Sequence, residues 1–333
     1  SLTACGGNGS SATTAADTSA ADTKAEGTTA AAPADKIGLA GSGKELIFTT
    51  GGDQGTYYGF GSVLAGQISD MTDTTVTAIV GKGSKGNIEA MDAGDAQLGF
   101  VQSDVMAYAY NGTNLFDGAK VDGFSTVAAL YMEQVQIVTL NPDIKTVADL
   151  KGKTVSVGDS GSGVYFNALD CLGAYGLTID DITPTYQSFG DSVEAMQDGK
   201  IDAAFIVAGA PTTAVTSLAA TRKVYLVELD DEHIDKLIET SPYYSKYTIA
   251  KDAYGLDADA TTVAVGAVVV ARDDVDENDI YNVVAGIYDS IDTLGHDKKN
   301  ELDLDFAASV TAVPYHKGAA KYFAEKGLTV PTK

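Results

Sequence analysis

The sequence predicts an α/β protein built from two similar lobes that face each other across a ligand cleft. Residues 46–71 and 154–175 share one pattern: an apolar strand, a loop of glycine and small polar residues, and the start of a helix with apolar residues at 3.6-residue spacing. A second match follows, because the tripeptide Glu-Ala-Met at residues 89–91 recurs at residues 194–196. Two diverged copies this far apart indicate two α/β lobes and not a short-period repeat.

The first residues are typical of a lipid-anchored protein. The run from Leu2 to Cys5, LTAC, fits the bacterial lipobox, in which the cysteine becomes the lipidated first residue after signal cleavage. A chance cysteine is the alternative. Residues 6–43 are rich in Ala, Thr, Ser, Gly and Asp, and they have too few large apolar side chains to form a core. We expect residues 1–43 to be a lipobox remnant and a disordered tether, anchoring the protein to the outer face of the bacterial cell membrane through Cys5.

Charge and cysteine content narrow the classes of partner. The chain has 46 acidic and 22 basic residues and a formal net charge of −24, which makes nucleic acid and anionic lipid headgroups poor partners for its body. If Cys5 is lipidated, Cys171 has no cysteine to pair with, and packing on its helix is its expected role. After residue 44 no apolar run of about 18 residues occurs, so no transmembrane helix is predicted there.

Two long extended runs, at residues 128–140 and 262–271, predict a hinge of two strands. They divide the chain into lobe 1, residues 44–133 and 263–333, and lobe 2, residues 134–262. Loops at the carboxyl ends of strands bind ligands in open α/β sheets. We therefore expect the loops of both lobes to face one cleft.

The glycine and serine loop of lobe 2, at residues 158–163, predicts a pocket for an anionic group. A helix start leaves backbone N–H groups without intrahelical partners and carries the positive end of the helix dipole. The alternative is a tight turn and a helix cap, with Gly and Ser present only for geometry. The predicted ligand contacts from lobe 2 are Ser160, Gly161, Ser162, Gly163, Phe189, Val207, Ala208 and Gly209.

Lobe 1 repeats this arrangement at residues 51–56. Its next loop, residues 81–86, is formally a G-x-G-x-x-G, but Gln102 and Ser103 stand where a dinucleotide site needs an acidic residue. We expect this loop to contact a ligand through its backbone and Ser84. The following Asp104 is expected to cap a helix. The predicted contacts from lobe 1 are Gly55, Thr56, Tyr57, Lys82, Ser84, Gln102, Ser103 and Tyr131.

Two of these predictions have open alternatives. Lys82 and Lys85 are both candidates for positive charge in the cleft, and both are equally consistent with solvated loop lysines. Tyr131 lies in the first extended run, where its ring forms either the floor of the cleft or ordinary core.

Nine short motifs then place the chain near a known family. They lie at residues 55–58 (GTYY), 99–104 (GFVQSD), 129–131 (ALY), 149–153 (DLKGK), 156–163 (SVGDSGSG), 202–205 (DAAF), 208–211 (AGAP), 242–244 (PYY) and 316–322 (HKGAAKY). In this order and spacing the chain resembles the TAXI solute-binding proteins, the extracytoplasmic subunits of one class of TRAP transporters. No single motif is specific, but the ordered series covers nearly everything after the tether.

The resemblance implies a periplasmic-binding-protein type II fold, with two α/β lobes, a two-strand hinge and a ligand in the cleft. It implies TRAP-type membrane permease subunits, driven by an ion gradient, as partners. It implies a small carboxylate as ligand, such as glutamate, glutamine or a C4–C5 dicarboxylate such as 2-oxoglutarate. The chain departs from the family at residues 82–84, which read Lys-Gly-Ser where members often have Ser-Gly-Gly. Because no arginine lies in the predicted loops, we expect helix ends and hydroxyls to hold the carboxylate.

Other functions have weaker support in the sequence. The chain has no H-E-x-x-H, G-x-S-x-G or G-x-x-x-x-G-K-[ST] motif, so we expect no enzyme activity. It has no local Cys/His cluster, and we expect neither a metal site nor a cofactor. A ligand-sensing lipoprotein, or the binding protein of an ATP-driven importer, would have the same fold and cleft. We expect a monomer.

Overall fold

The computed structural model describes residues 30–333, so the predicted lipidation site at Cys5 and most of the tether lie outside the described residues. Within them the strands are β1 (Leu46–Thr49), β2 (Val76–Ile79), β3 (Leu98–Gln102), β4 (Phe124–Thr139), β5 (Thr154–Ser156), β6 (Thr183–Thr185), β7 (Ala203–Ala208), β8 (Tyr225–Leu226), β9 (Ser245–Ile249) and β10 (Ala260–Arg272). The α-helices are α1 (Thr56–Met71), α2 (Ser84–Asp92), α3 (Ser103–Asn111), α4 (Val164–Ala174), α5 (Phe189–Gln197), α6 (Thr213–Ala219), α7 (Asp231–Thr240), α8 (Glu277–Tyr288), α9 (Leu304–Ala307) and α10 (Lys317–Glu325). Short 3₁₀ turns lie at Asn114–Phe116, Val147–Leu150, Ile179–Asp181, Lys251–Ala253, Ile291–Thr293 and Asp297–Glu301.

The described strands form one sheet whose two halves repeat each other. Its order is β2-β1-β3-β10-β4-β7-β5-β6, with β8 on β4 and β9 on β10. In one half β2, β1 and β3 are parallel and β10 is antiparallel to β3. In the other half β6, β5 and β7 are parallel and β4 is antiparallel to β7. Helices α2 and α5, nine residues each, begin 105 residues apart, at the offset of the sequence repeat.

The hinge consists of the two long strands β4 and β10, which pair antiparallel with each other. Each also pairs with a second strand: β4 with β7 over residues 134–139, and β10 with β9 over residues 260–264. The predicted hinge strands are therefore present and somewhat longer than the sequence indicated. We retain the lobe boundaries at residues 133/134 and 262/263 as a proposal.

Helices cover both faces of each half of the sheet because each has one apolar face. In α1, Phe60, Leu64 and Ile68 recur every four residues, and all three are buried in one core with α8 and α10. Helices α2 and α3 pack on the opposite face of that half. In the other half, α4 and α7 share one core and α5 and α6 the other. Cys171 is a free, buried thiol in the core with α4 and α7.

No helix within residues 30–333 combines the length and the apolar character needed to cross a lipid bilayer.

Candidate ligand-binding site

A cavity of about 50 Å³ lies between the two lobes, next to the carboxyl ends of the parallel strands. Its wall contains the residues that follow β1, β2, β5 and β6 and the last residues of β3 and β7. One water needs about 10–15 Å³ of such volume, so the closed cavity has room for a few waters or a small solute.

Five helices begin at this cavity. The N-cap residues of α1 to α5 all line it: Gly55, Gly83, Gln102, Gly163 and Ser188. Helices α1 to α4 have no side-chain cap, whereas the Ser188 hydroxyl of α5 accepts a bond from the Asp191 amide. The unpaired N–H groups of the first turns and the positive ends of the helix dipoles therefore meet at one place. Such an arrangement stabilises a bound anion.

Contacts between the lobes close the cavity. The Gly86 amide donates to the Gly161 carbonyl at 2.7 Å, and the Thr56 hydroxyl donates to the Gly209 carbonyl at 2.8 Å. The Lys298 ammonium donates to the Ala210 carbonyl at 3.0 Å. These bonds join the starts of α1 and α2 and the 3₁₀ turn at Asp297–Glu301 to loops of lobe 2, so the structure is a closed form.

Glu133, on hinge strand β4, provides a carboxyl group to the wall of the cavity. It is only 1% exposed, and its Oε2 accepts a hydrogen bond from the Tyr57 hydroxyl at 2.5 Å. Burial raises the pKa of Glu133 well above its usual range; the bond from Tyr57 lowers this pKa, and nearby Asp104 raises it further. Burial likewise raises the pKa of Tyr57. The ring of Tyr57 is held by stacking on Phe100, with ring centroids 4.5 Å apart.

Two buried polar atoms at the cavity have no hydrogen-bond partner within residues 30–333: Ser162 Oγ and Gln102 Oε1. The Gln102 amide donates to Ser84 Oγ at 3.0 Å, which fixes the backbone beside them. A buried polar group without a partner costs about 1–3 kcal/mol. A ligand that bonds to Ser162 and Gln102 would remove this cost.

The two loop lysines have different environments. Lys82 lines the cavity, and no described residue forms an ion pair with it. Lys85 forms an ion pair with Glu89 on its own helix, and its ammonium group lies 5.6 Å from the centre of the Phe116 ring. Of the two, the structure therefore places Lys82 at the cleft.

Behind the cavity, Asp104 of α3 is completely buried against lobe 2. Its Oδ2 accepts a bond from Asn167 Nδ2 at 3.3 Å, and its Oδ1 has no described partner. Asn167 also donates to the Tyr244 hydroxyl, which donates to Asp170. Burial, together with the charge of Asp170, raises the pKa of Asp104 from 3.8 to about 7. The expectation that Asp104 caps a helix is corrected, because Gln102 is the N-cap residue of α3.

The structure brings most of the predicted contacts together around the cavity. They are Gly55, Thr56, Tyr57, Lys82, Ser84, Gln102, Ser162, Gly163, Phe189, Val207 and Ala208. Val207 and Ala208 at the end of β7 are apolar, whereas Gln102 at the equivalent end of β3 is polar. Whether these residues hold a ligand stays a prediction.

Five predicted contacts lie outside the cavity wall, each for a local reason. Ser160 is exposed and the Gly161 carbonyl accepts the bond from lobe 1, because α4 begins only at residue 164 and both residues lie in the turn before it. Ser103 Oγ accepts the Gly266 amide of β10. The Gly209 carbonyl accepts the Thr56 hydroxyl. Tyr131 is core, with its ring packed against Phe60 and Phe100.

Sequence reasoning missed other residues of the wall, which are Gly51, Gly52, Gly83, Glu133, Asp159, Val164 and Ser188. The glycines and Ser188 lie beside predicted loops, and the repeat offset of 105 residues would have found Ser188 opposite Gly83. Glu133 has one signal, a single acidic residue within the extended run at residues 128–140.

Comparison with known proteins gives the family. The model of the NMT1-like family matches residues 48–327. The chain belongs to the NMT1-like family. A protein of Escherichia coli (strain K12), whose name describes binding of aliphatic sulfonates, is 43% identical to this NMT1-like chain over 70 residues. That match covers 21% of the chain and 22% of the relative, so it spans about a fifth of the relative's length.

Solved structures resemble the NMT1-like chain at low identity. A protein of Bordetella bronchiseptica RB50 has a TM-score of 0.51 at 17% identity, covering 84% of this chain and 82% of that one. The alkanesulfonate-binding protein SsuA of Xanthomonas axonopodis pv. citri, bound to MOPS, has a TM-score of 0.48 at 18% identity, covering 84% and 83%. The predicted periplasmic-binding-protein type II fold is confirmed.

The sulfonate-binding proteins reported above are named for binding and not for catalysis, which agrees with the expectation of a solute-binding protein and not an enzyme. The family found is the NMT1-like family, which is broader than the resemblance seen in the sequence. The names reported above describe sulfonate binding and do not describe the narrower TAXI class.

Proposed function

We propose that this solute-binding protein captures a small organic anion between its lobes and delivers it to a membrane importer. The observation that carries the proposal is the convergence of helix N-termini from both lobes on one closed cavity. An anion at this place bonds to amides of α1 and α2 from one side and of α4 from the other, so binding and lobe closure support each other.

The anionic group is a carboxylate, a sulfonate or a phosphonate. Each offers oxygen acceptors that suit backbone N–H groups and the hydroxyls of Ser84 and Ser162, and each benefits from the positive charge of Lys82. The sequence favoured glutamate, glutamine or a C4–C5 dicarboxylate, and the name of the Escherichia coli relative adds sulfonates. We propose that the chain is held at the outer face of the membrane through a lipid on Cys5.

The partner that we propose is the membrane part of an ATP-driven importer. The sequence raised this as the alternative to a TRAP-type permease. The name of the Escherichia coli relative describes sulfonate binding and not a TAXI protein, which favours this alternative. Uptake of the identified ligand into vesicles that contain the cognate permease separates the two. Uptake that needs internal ATP and survives collapse of the ion gradients supports our proposal, and uptake that follows a sodium or proton gradient supports the TRAP-type partner.

Ligand binding is tested by a thermal-shift screen of the full chain followed by calorimetry. The panel contains alkanesulfonates, methylphosphonate, amino acids, C4–C5 dicarboxylates, neutral sugars and simple cations. A ligand at 100 times its Kd adds about 2.7 kcal/mol of stability, which is a clear shift. We expect shifts with organic anions, and a response to sugars or cations alone would contradict the anion site.

The matched lysines of the α2 loop provide the variant test. Lys82→Met should weaken anion binding and reduce its salt dependence, because a charge at the cavity is lost. Lys85→Met removes the same charge three residues further on, in the first turn of α2, from a side chain paired with Glu89, and it should leave the affinity close to wild type. Equal effects of both substitutions would mean that only the general charge of the surface matters.

A further inference from the structure

We infer that Glu133 selects the ligand class: the bound anion carries an ammonium group, and Glu133 receives it. This inference rests on the proposed anion site and deepens it. The solute is then a zwitterion, such as an amino acid or an aminosulfonate, with its anionic end at the helix N-termini and its ammonium group at the hinge strand.

Two hydrogen-bond acceptors, Glu133 and Gln102 Oε1, lie in the wall of the cavity. Glu133 is almost fully buried, lines the cavity and receives one bond, from Tyr57, on Oε2. Gln102 is 2% exposed, and its Oε1 has no partner among the described residues. A simple anion has acceptors only, so it cannot bond to Gln102 Oε1 and gives Glu133 no counter-charge. An ammonium group has three donors and serves both.

The charged groups around Glu133 also favour an ammonium ligand. The titratable groups that act on Glu133 are Tyr57 and Asp104, and neither is a cation. Lys82 and Asp159 also line the cavity, but the described ion pairs include none between Lys82 and Glu133. Burial without a neighbouring cation disfavours the charged form of this carboxyl group. A ligand ammonium provides the missing counter-charge, and the carboxyl then gives up its proton to solvent as the ligand binds.

The expected behaviour is selectivity coupled to proton release. Pairs of probes that differ only in the amino group measure it: taurine against isethionate, and L-alanine against L-lactate. With the full chain at neutral pH, we expect the amino member to bind at least tenfold more tightly. Calorimetry in two buffers of different ionisation heat should show close to one proton released with the amino member and none with the hydroxyl member.

Variants separate this role from a structural one. Glu133→Gln should abolish the proton release and bring the preference for the amino member below threefold, while isethionate or lactate still binds. Glu194→Gln, the same substitution at an exposed position of lobe 2, should retain both properties. If Glu133→Gln does not fold, the proton release of the wild-type protein decides the question alone.

Three outcomes overturn the inference. Equal binding of the amino and hydroxyl members overturns it and leaves the proposed anion site intact. Binding of a dicarboxylate with no proton released, or with a proton taken up, also overturns it, because Glu133 then acts as a neutral donor. If no anion of either kind binds, the proposed function itself fails, and the inference with it.

Discussion

Closure of the lobes depends on a glycine at the start of α4. Gly163 is the N-cap residue of this helix and has φ of −73°, so alanine fits its backbone without strain. A Cβ atom at this position would lie 2.6 Å from Cδ of Gln102, which belongs to the other lobe. Ordinary contacts begin near 3.4 Å, so the overlap is about 0.8 Å. The Gln102 side chain is 2% exposed and its backbone N–H is bonded to Ser84 Oγ, so relief of the overlap requires the side chain to turn into the cavity that it lines.

The substitution Gly163→Ala should therefore act on the closed form and leave the open form unaffected. Overpacking of this kind costs about 1–3 kcal/mol. Because ligand binding requires closure, this cost appears in the affinity, and about 1.4 kcal/mol corresponds to tenfold. We expect Kd for the tightest-binding anion of the screen to rise roughly 5- to 150-fold. Calorimetry measures this, and small-angle scattering should show a smaller ligand-induced decrease in the radius of gyration.

The matched control is Gly173→Ala on the same helix. A Cβ atom there meets no atom within 4 Å, and the residue is exposed in the last turn of α4. This variant should keep the affinity of the wild type and gain up to about 1 kcal/mol of stability from helix propensity. If Gly163→Ala has the Kd and the ligand-induced decrease in radius of gyration of the wild type, the contact with Gln102 plays no part in the liganded form and this prediction is wrong.

Three further predictions concern closure, the core and pH. Thr56→Val removes the bond to the Gly209 carbonyl and should weaken ligand binding about fivefold or more, while Thr56→Ser should retain the affinity in calorimetry. Leu172→Ala, at a fully buried position, should lower the free energy of unfolding in urea by about 2–5 kcal/mol, and a loss below about 1 kcal/mol would contradict the assigned core. The pKa of Asp104 is raised on folding, so the folded state holds its proton over a range where the unfolded state has lost it, and stability should fall as pH rises from 3.8 to about 7. Asp104→Asn should flatten this part of the urea-midpoint profile, whereas the exposed Asp92→Asn should not.

The fold was predictable because its signals are periodic and repeated. The apolar spacing of α1 and the offset of 105 residues between α2 and α5 each involve many residues, so chance variation at one position does not hide them. The hinge strands were visible as long runs rich in apolar residues, since β4 and β10 lie in the middle of the sheet and are covered on both faces.

Most of the predictable part of the site lies where a loop leads into a helix. Glycine and small polar residues mark such starts, and this found residues 55–57 and 162–163. In the turn before α4 the sequence analysis selected Ser160 and not Asp159. Sequence alone does not show that Ser160 is exposed while Asp159 lines the cavity. Glu133 could not be assigned from sequence, where it is a lone acidic residue in a strand. Its place in the site follows from its burial and from its position in the cavity between the closed lobes.

The closed cavity also explains why a solute should be needed for stable closure. Each lobe presents helix starts that lack side-chain caps, and closure moves these N–H groups away from bulk water. Without a ligand, closure brings positive helix ends together and buries Ser162 Oγ and Gln102 Oε1 unpaired, at about 1–3 kcal/mol for each polar group. An anion that accepts bonds from these N–H groups and from the Ser162 hydroxyl serves as a shared cap for helices of both lobes. The free energy that binds the solute is then the same free energy that holds the lobes together, so a membrane partner that recognises the closed form responds to the loaded protein.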